Sequence, residues 1–247
     1  MAGVFKGFGQ KAIPFLKALD FHQSREWFQE NRDLYESELH EPFCALVETL
    51  SDRFSAAKLG LRGDRKKSLF RINRDVRFSK DKRPYNRHLS AILSPDGTKM
   101  EQGVFYVHIG LESCFAGVAW WQPSPELLQA MRKAIVTKPA AFRAMVTSLK
   151  KNGLALDPED CLKRAPRGFE EVAEADLAQA VRNRHFVVRH DIDPTMIHSP
   201  ALVDDLVGFT LRAKPLLDWA GRSRAPPFRD RISQGSVPLI VGSSELV

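Results

Sequence analysis

Three cysteines in 247 residues, Cys44, Cys114 and Cys161, are too few, too far apart and odd in number for a disulfide framework. No CxxC pair offers zinc a thiolate clamp either. So little cysteine fits a reducing compartment, and a cytoplasmic location is expected. Long apolar runs are missing too. No stretch approaches the roughly 18 to 20 consecutive apolar residues of a membrane-spanning helix, and the amino terminus, MAGVFKGFGQKAIPFLKALD, lacks the apolar core and cleavage site of a signal peptide. No membrane partner is therefore expected. Absence of a fixed-period repeat or a low-complexity tract excludes a solenoid and a disordered chain. GxSxG, Walker A, GxGxxG, HxH, HExxH and DxDxDG patterns are all absent, so no reaction can be named from a motif and neither cofactor nor metal is expected.

What is there is enough apolar side chain, 43% of the residues, to bury one sizeable core. A single globular domain over residues 1–221 is expected, with an irregular tail at 222–247 marked by Pro226 and Pro227 and by the loss of any periodicity. Residues 10–58 read as three helices. Ile13, Leu16 and Leu19 form one stripe, and Trp27, Leu34 and Tyr35 a second behind a Ser24 cap. Phe43, Leu46, Val47, Leu50 and Phe54 form a third, behind a first-turn Pro42. Asn31, four residues from both Trp27 and Tyr35, is expected to tie down a neighbouring loop.

After Leu69 the period changes from helical to two. Phe70, Ile72, Val76 and Phe78 alternate with Arg71, Asn73, Asp75 and Arg77, which predicts a strand. A turn SKDKRPYN and further strands LSAIL, GVFYVHIG (103–110) and SCFAGVAWW (113–121) follow, joined too closely for parallel crossovers. Pro125 and Pro139 begin two more helices, ADLAQAVRN is a short helix, HFVVRHDI a strand, and residues 200–221 a long helix that Pro215 is expected to kink or split. Strands in one block between helical blocks predict an α+β fold: a central, mostly antiparallel sheet flanked by an N-terminal helical block and C-terminal helices.

The net charge of +7 is not spread evenly. Between Arg62 and Arg87 stand eleven Lys or Arg against three Asp, leaving 26 basic and 27 acidic residues for the rest of the chain. All of the excess is in one basic patch, and its ligand should be an anion. On the predicted strand Arg71, Asn73, Asp75 and Arg77 share a face, while Arg74 projects into the apolar phase and needs a carboxylate, a carbonyl or a ligand anion. Lys80, Lys82, Tyr85 and Arg87 extend the cluster. Arginine forks and lysine point charges suit phosphate or carboxylate. Phe70, Phe78 and Tyr85 interleave the charges, which is also how a surface for single-stranded nucleic acid is written. Arg65, Lys66 and Lys67 read as a solvated charge run.

Three further features carry less. His108 shares the even face of its strand with Tyr106 and is, with Asp75, a weak candidate for an acid or base. His190, Asp191 and Asp193 in RHDID resemble half of a metal site, but strand alternation sends Asp191 to the opposite face. Cys114 beside Phe115 reads as core, not nucleophile.

The stretches FKGFGQKAIPFLKAL, SREWFQENRDLY, RINRDVRFSKDKRPYNRH, WWQP and KRAPRGF, in that order over residues 5–215, resemble the conserved hypothetical family called domain of unknown function 2461. The resemblance implies one domain and no assigned reaction. It singles out Trp27, Phe28, Asn31, Tyr35, Arg71, Arg74, Asp75, Arg77, Phe78, Lys80, Pro84 and Tyr85 as motif positions. Three functions stay open: binding of a phosphate- or carboxylate-bearing small molecule at the basic face; non-sequence-specific nucleic-acid binding through residues 62–88; or an enzyme acting on an anionic substrate. A concave pocket favours the first and third, a flat surface the second.

Overall fold

In the computed structural model, residues 4–157 and 160–222 are described. The tail expected from residue 222 lies outside them apart from Arg222. The N-terminal block is α1 (Ala12–His22), α2 (Arg25–Glu30), α3 (Arg32–Tyr35), a π-helical turn at Glu36–His40, and α4 (Glu41–Ala56). Ser24 does cap α2, its hydroxyl accepting the Trp27 amide at 3.1 Å, and Pro42 sits in the first turn of α4. Phe43, Leu46, Val47, Leu50 and Phe54 are all fully buried. Asn31 differs from expectation: its Nδ2 donates to the Trp27 carbonyl 2.9 Å away and closes the end of α2 rather than a loop.

The sheet is antiparallel throughout, in the order β1 (His88–Leu93), β2 (Val104–Gly110), β3 (Cys114–Trp120), β4 (Phe186–Asp191). Between β3 and β4 come α5 (Pro125–Thr137), α6 (Pro139–Lys151) and α7 (Ala175–Ala180), each proline starting its helix as predicted. Then α8 (Ala201–Gly221) runs unbroken through Pro215 and packs on β3, β4, α4 and α6. The architecture is α+β. Odd-numbered residues of β1 and β2, with Ala116 and Val118 of β3, face the helices in one continuous core, where the Phe54 ring meets Phe105 edge-on at 5.1 Å. Among the described residues no helix is long and apolar enough to cross a membrane.

The strand predicted at 70–78 does not form. Residues 62–70 follow the free edge of β1 through scattered bonds: Arg62 and Ser94 exchange amides, and the Phe70 amide donates to the Ser90 carbonyl at 2.9 Å. The chain then makes an irregular hairpin, Arg74 N–H to Pro84 O at 2.8 Å and Asn86 N–H to Ile72 O at 2.7 Å. Its tip spans residues 75–83. The apolar alternation is not a core face, because Ile72 is buried while Phe78 is 96% exposed. What holds the tip is carboxylates accepting from arginines two residues on, Asp75 from Arg77 and Asp81 from Arg83. Lys82 adds a bond from its Nζ to the Val76 carbonyl at 3.0 Å.

Candidate functional site

Side chains that point away from the helices form the outer face of the sheet, and strand alternation decides which they are. On β1 they are His88, Ser90 and Ile92; on β2, Val104, Tyr106 and His108. On β3 and β4 they are Phe115, Gly117 and Ala119 with Val187, Arg189 and Asp191. Imidazole, phenyl and guanidinium groups stack across this face. The His88 ring lies 4.2 Å from His108, His108 lies 4.7 Å from Phe115, and the Arg189 guanidinium sits 4.0 Å above Phe115. The Tyr106 hydroxyl is 3.2 Å from His108 Nδ1 and also bonds to Ser90.

Burial shifts these groups. Desolvation, helped by the neighbouring His88 and Arg189 charges, pushes His108 down to about 4. Its neutral imidazole is therefore the form present at neutral pH. Desolvation and Arg87 lower His88 as well, and desolvation raises Tyr106 despite its bond to Ser90.

The edge segment supplies a second wall. Phe70, Arg71, Asn73, Arg74 and Asp75 stand across from His88, Ser90 and Tyr106, with Asn86 beside them, and line an open cleft of about 480 Å³. Four of the ligand-binding candidates thus do meet in one place: Arg71, Asn73, Arg74 and Asp75. The others do not line that cleft. Arg77 is exposed and bound to both oxygens of Asp75, Lys80 is exposed, and Lys82 is turned onto Val76. Arg87 bridges Asp20 and Glu112. Tyr85 is 3% exposed with its ring stacked 4.5 Å from Phe28, so it is a core residue that anchors the hairpin to α2. His108 lies beside the cleft behind Tyr106, not in its wall.

Arg74 finds its partner seven residues on: Nη1 donates to Asp81 Oδ2 at 2.8 Å and to the Arg83 carbonyl at 3.1 Å. Arg83 and Arg74 together hold the Asp81 carboxyl well below its ordinary range. Arg77 does the same to Asp75, which leaves Asp75 a weak base at neutral pH. Arg83 also reaches Asp20, and Arg65 pairs with Glu41 and Glu48. So five of the seven arginines of residues 62–87 are paired with carboxylates, and four acids from outside the segment, Asp20, Glu41, Glu48 and Glu112, offset about half of its charge excess. Among the described residues, Arg62 and Arg71 are the arginines of that segment with no carboxylate partner, and only Arg71 lines the cleft.

The other sequence candidates resolve simply. Cys114 is buried on β3. His190 faces α8 and is held by Asp205 at 2.7 Å, with its ring on Phe209, while Asp191 pairs with Arg189 on the opposite face. His88 and Ser90 went unread in the sequence, although the phase of LSAIL, one strand over from Tyr106 and His108, carries the signal for both.

Fold and site together define a class: a single antiparallel sheet with helices on its core face and a polar, open cleft between its outer face and an arginine-rich edge segment. Residues 11–219 match the family described as conserved hypothetical protein, DUF2461, and the chain belongs to that family. Comparison with curated proteins and with solved structures found no match.

Proposed function

We propose that the protein binds a small molecule through its phosphate or carboxylate group in the cleft beside Arg71. One observation carries the reading: an exposed guanidinium without a protein partner lines an open cleft among hydrogen-bonding groups, Asn73, Asn86, Ser90 and Tyr106. An arginine fork there can grip two oxygens, and the amide and hydroxyl groups can take the rest. Nucleic-acid binding is less well supported, because Arg65, Arg74, Arg77, Arg83 and Arg87 already hold carboxylates and have little charge left to displace counterions. An enzyme acting on the same anion is the alternative within this site, with neutral His108 reaching the cleft through the Tyr106 hydroxyl.

Calorimetric titration with inorganic phosphate, phosphate esters and carboxylates tests the reading. Saturable binding of at least one anion is expected, weakened tenfold or more by Arg71→Ala with the melting temperature unchanged. A native protein that answers to none of them, or an Arg71→Ala variant that binds as well as the native protein, overturns it. Steeply salt-dependent binding of single-stranded nucleic acid without any small-anion response would favour the other reading.

A further inference from the structure

The polar cleft does not stop at Tyr106. A second hollow of about 450 Å³ adjoins it, with Phe70 and Tyr106 lining both. Its floor is apolar and comes from all four strands, through Ile92, Val104, Gly117, Ala119 and Val187. Aromatic rings border it, and two of them are unusually bare for their size, Phe70 at 45% and Trp121 at 54% exposure.

Gly117 makes this hollow informative. It stands in the middle of β3, opposite Tyr106 on one side and Arg189 on the other, where a glycine weakens a strand by having nothing to pack. Backbone geometry does not demand it, since its φ lies outside the left-handed region. Crowding does not demand it either: a Cβ on Gly117 would find only the Val188 carbonyl oxygen within 4 Å, at an ordinary 3.6 Å. Nor does the Tyr106 ring lie over it. What the missing side chain leaves is open volume above the centre of the sheet, bordered by aromatic side chains and next to the cleft that holds Arg71, with Phe70 and Tyr106 common to both.

We propose that this hollow receives a flat apolar group joined to the anion at Arg71, so that the ligand is an aromatic carboxylate or aromatic phosphate ester and not a compact anion. The inference rests on the anion-binding reading above and adds to it the other half of the ligand. Charge complementarity sets the direction: the hollow is also lined by Asp157 and Arg189, but Arg189 is paired with Asp191 and lies over Phe115, so the anionic end lies toward the unpaired Arg71 guanidinium and the apolar end over Gly117 and Ala119.

The test titrates the full-length protein with two matched pairs, inorganic phosphate against 1-naphthyl phosphate and acetate against 1-naphthoate. In at least one pair the aromatic member is expected to bind ten times more tightly or better. Gly117→Val places a strand-favouring side chain on the floor. It should bring the pair to within twofold while leaving affinity for the compact anion unchanged; Arg71→Ala should weaken both members. Ala119→Val fills the neighbouring floor position and serves if the first variant does not fold, as checked by thermal unfolding. Equal affinity for compact and aromatic anions in the native protein overturns this inference and leaves the anion site standing. Retention of the full aromatic preference in the folded, filled variants overturns it too. Binding of neither member of either pair removes the anion reading itself.

Discussion

The two faces of the sheet are made by the same four strands and differ in chemistry. Toward α4 and α8 stand Leu89, Ala91, Leu93, Phe105, Val107, Ile109, Val118 and Phe186, all buried and all apolar. Away from them, set among the apolar Ile92, Val104, Phe115, Ala119 and Val187, stand the distinctive groups His88, Ser90, Tyr106, His108 and Arg189, with Gly117 between. Antiparallel sheets with one covered face ordinarily alternate apolar inward and well-solvated polar outward. Here the outward groups are neither. They are half-buried titratable rings stacked on one another, and desolvation has shifted them toward their neutral forms. A surface built only for solubility has no use for such groups, whereas shifted ionisable residues in a cleft are a mark of a site. Residue parity along β1 and β2 thus separates what stabilises the molecule from what it offers to a ligand.

The largest break in that comparison comes from the core face. Phe105 is fully buried against Phe54, so Phe105→Ala removes a ring and leaves a cavity. About 3–5 kcal/mol of stability should go, read from urea unfolding. A cost under about 1 kcal/mol would mean that this face is not the packed one. His108 gives a smaller and pH-dependent effect. Its folded value of about 4 lies below the ordinary 6.5, so between those values the unfolded chain binds the extra proton. Stability from this group is therefore undiminished above pH 6.5, and falls as pH drops from 6.5 toward 4. His108→Phe keeps the stack on Phe115 and removes the titration. It should be favoured over the native protein by roughly 1–3 kcal/mol more at pH 4.5 than at pH 7.5. Parallel pH profiles would show that His108 is not desolvated.

Much of this arrangement was legible beforehand. Helical spacing behind Pro42, Pro125 and Pro139, and strand alternation in β2, β3 and β4, survive because burial and local pattern agree there. The pairing of Tyr106 and His108 on one face was readable for the same reason. Residues 70–78 were not, because Phe78 obeys the period and yet projects into solvent. There, arginine–aspartate bonds at a spacing of two residues win over alternation. Arg74 is stranded among apolar neighbours only in a straight strand; the hairpin brings Asp81 back to it. Net charge along the chain likewise misled on the number of available cations, since Asp20, Glu41, Glu48 and Glu112 arrive from elsewhere to neutralise them.

Gly117→Val should barely move stability, or raise it by up to about 1 kcal/mol, because valine suits a strand and meets no crowding there. A clear loss would mean that the outer face is packed after all.

The smallest effect belongs to Arg77. Its side chain is 77% exposed and its partner Asp75 is 59% exposed, so water and salt screen the pair whatever its geometry. Arg77→Ala is expected to leave both the melting temperature and the anion titration where they were. Arg71→Ala should change only the titration. Arg74→Ala should lower the melting temperature, because it leaves half-buried Asp81 with one guanidinium fewer and loosens the hairpin that carries Arg71. Three arginines at a spacing of three residues then give three different phenotypes. A common phenotype for all three would mean that the segment acts as one basic surface, and the distinction between arginines paired in the hairpin and the unpaired guanidinium in the cleft would fail.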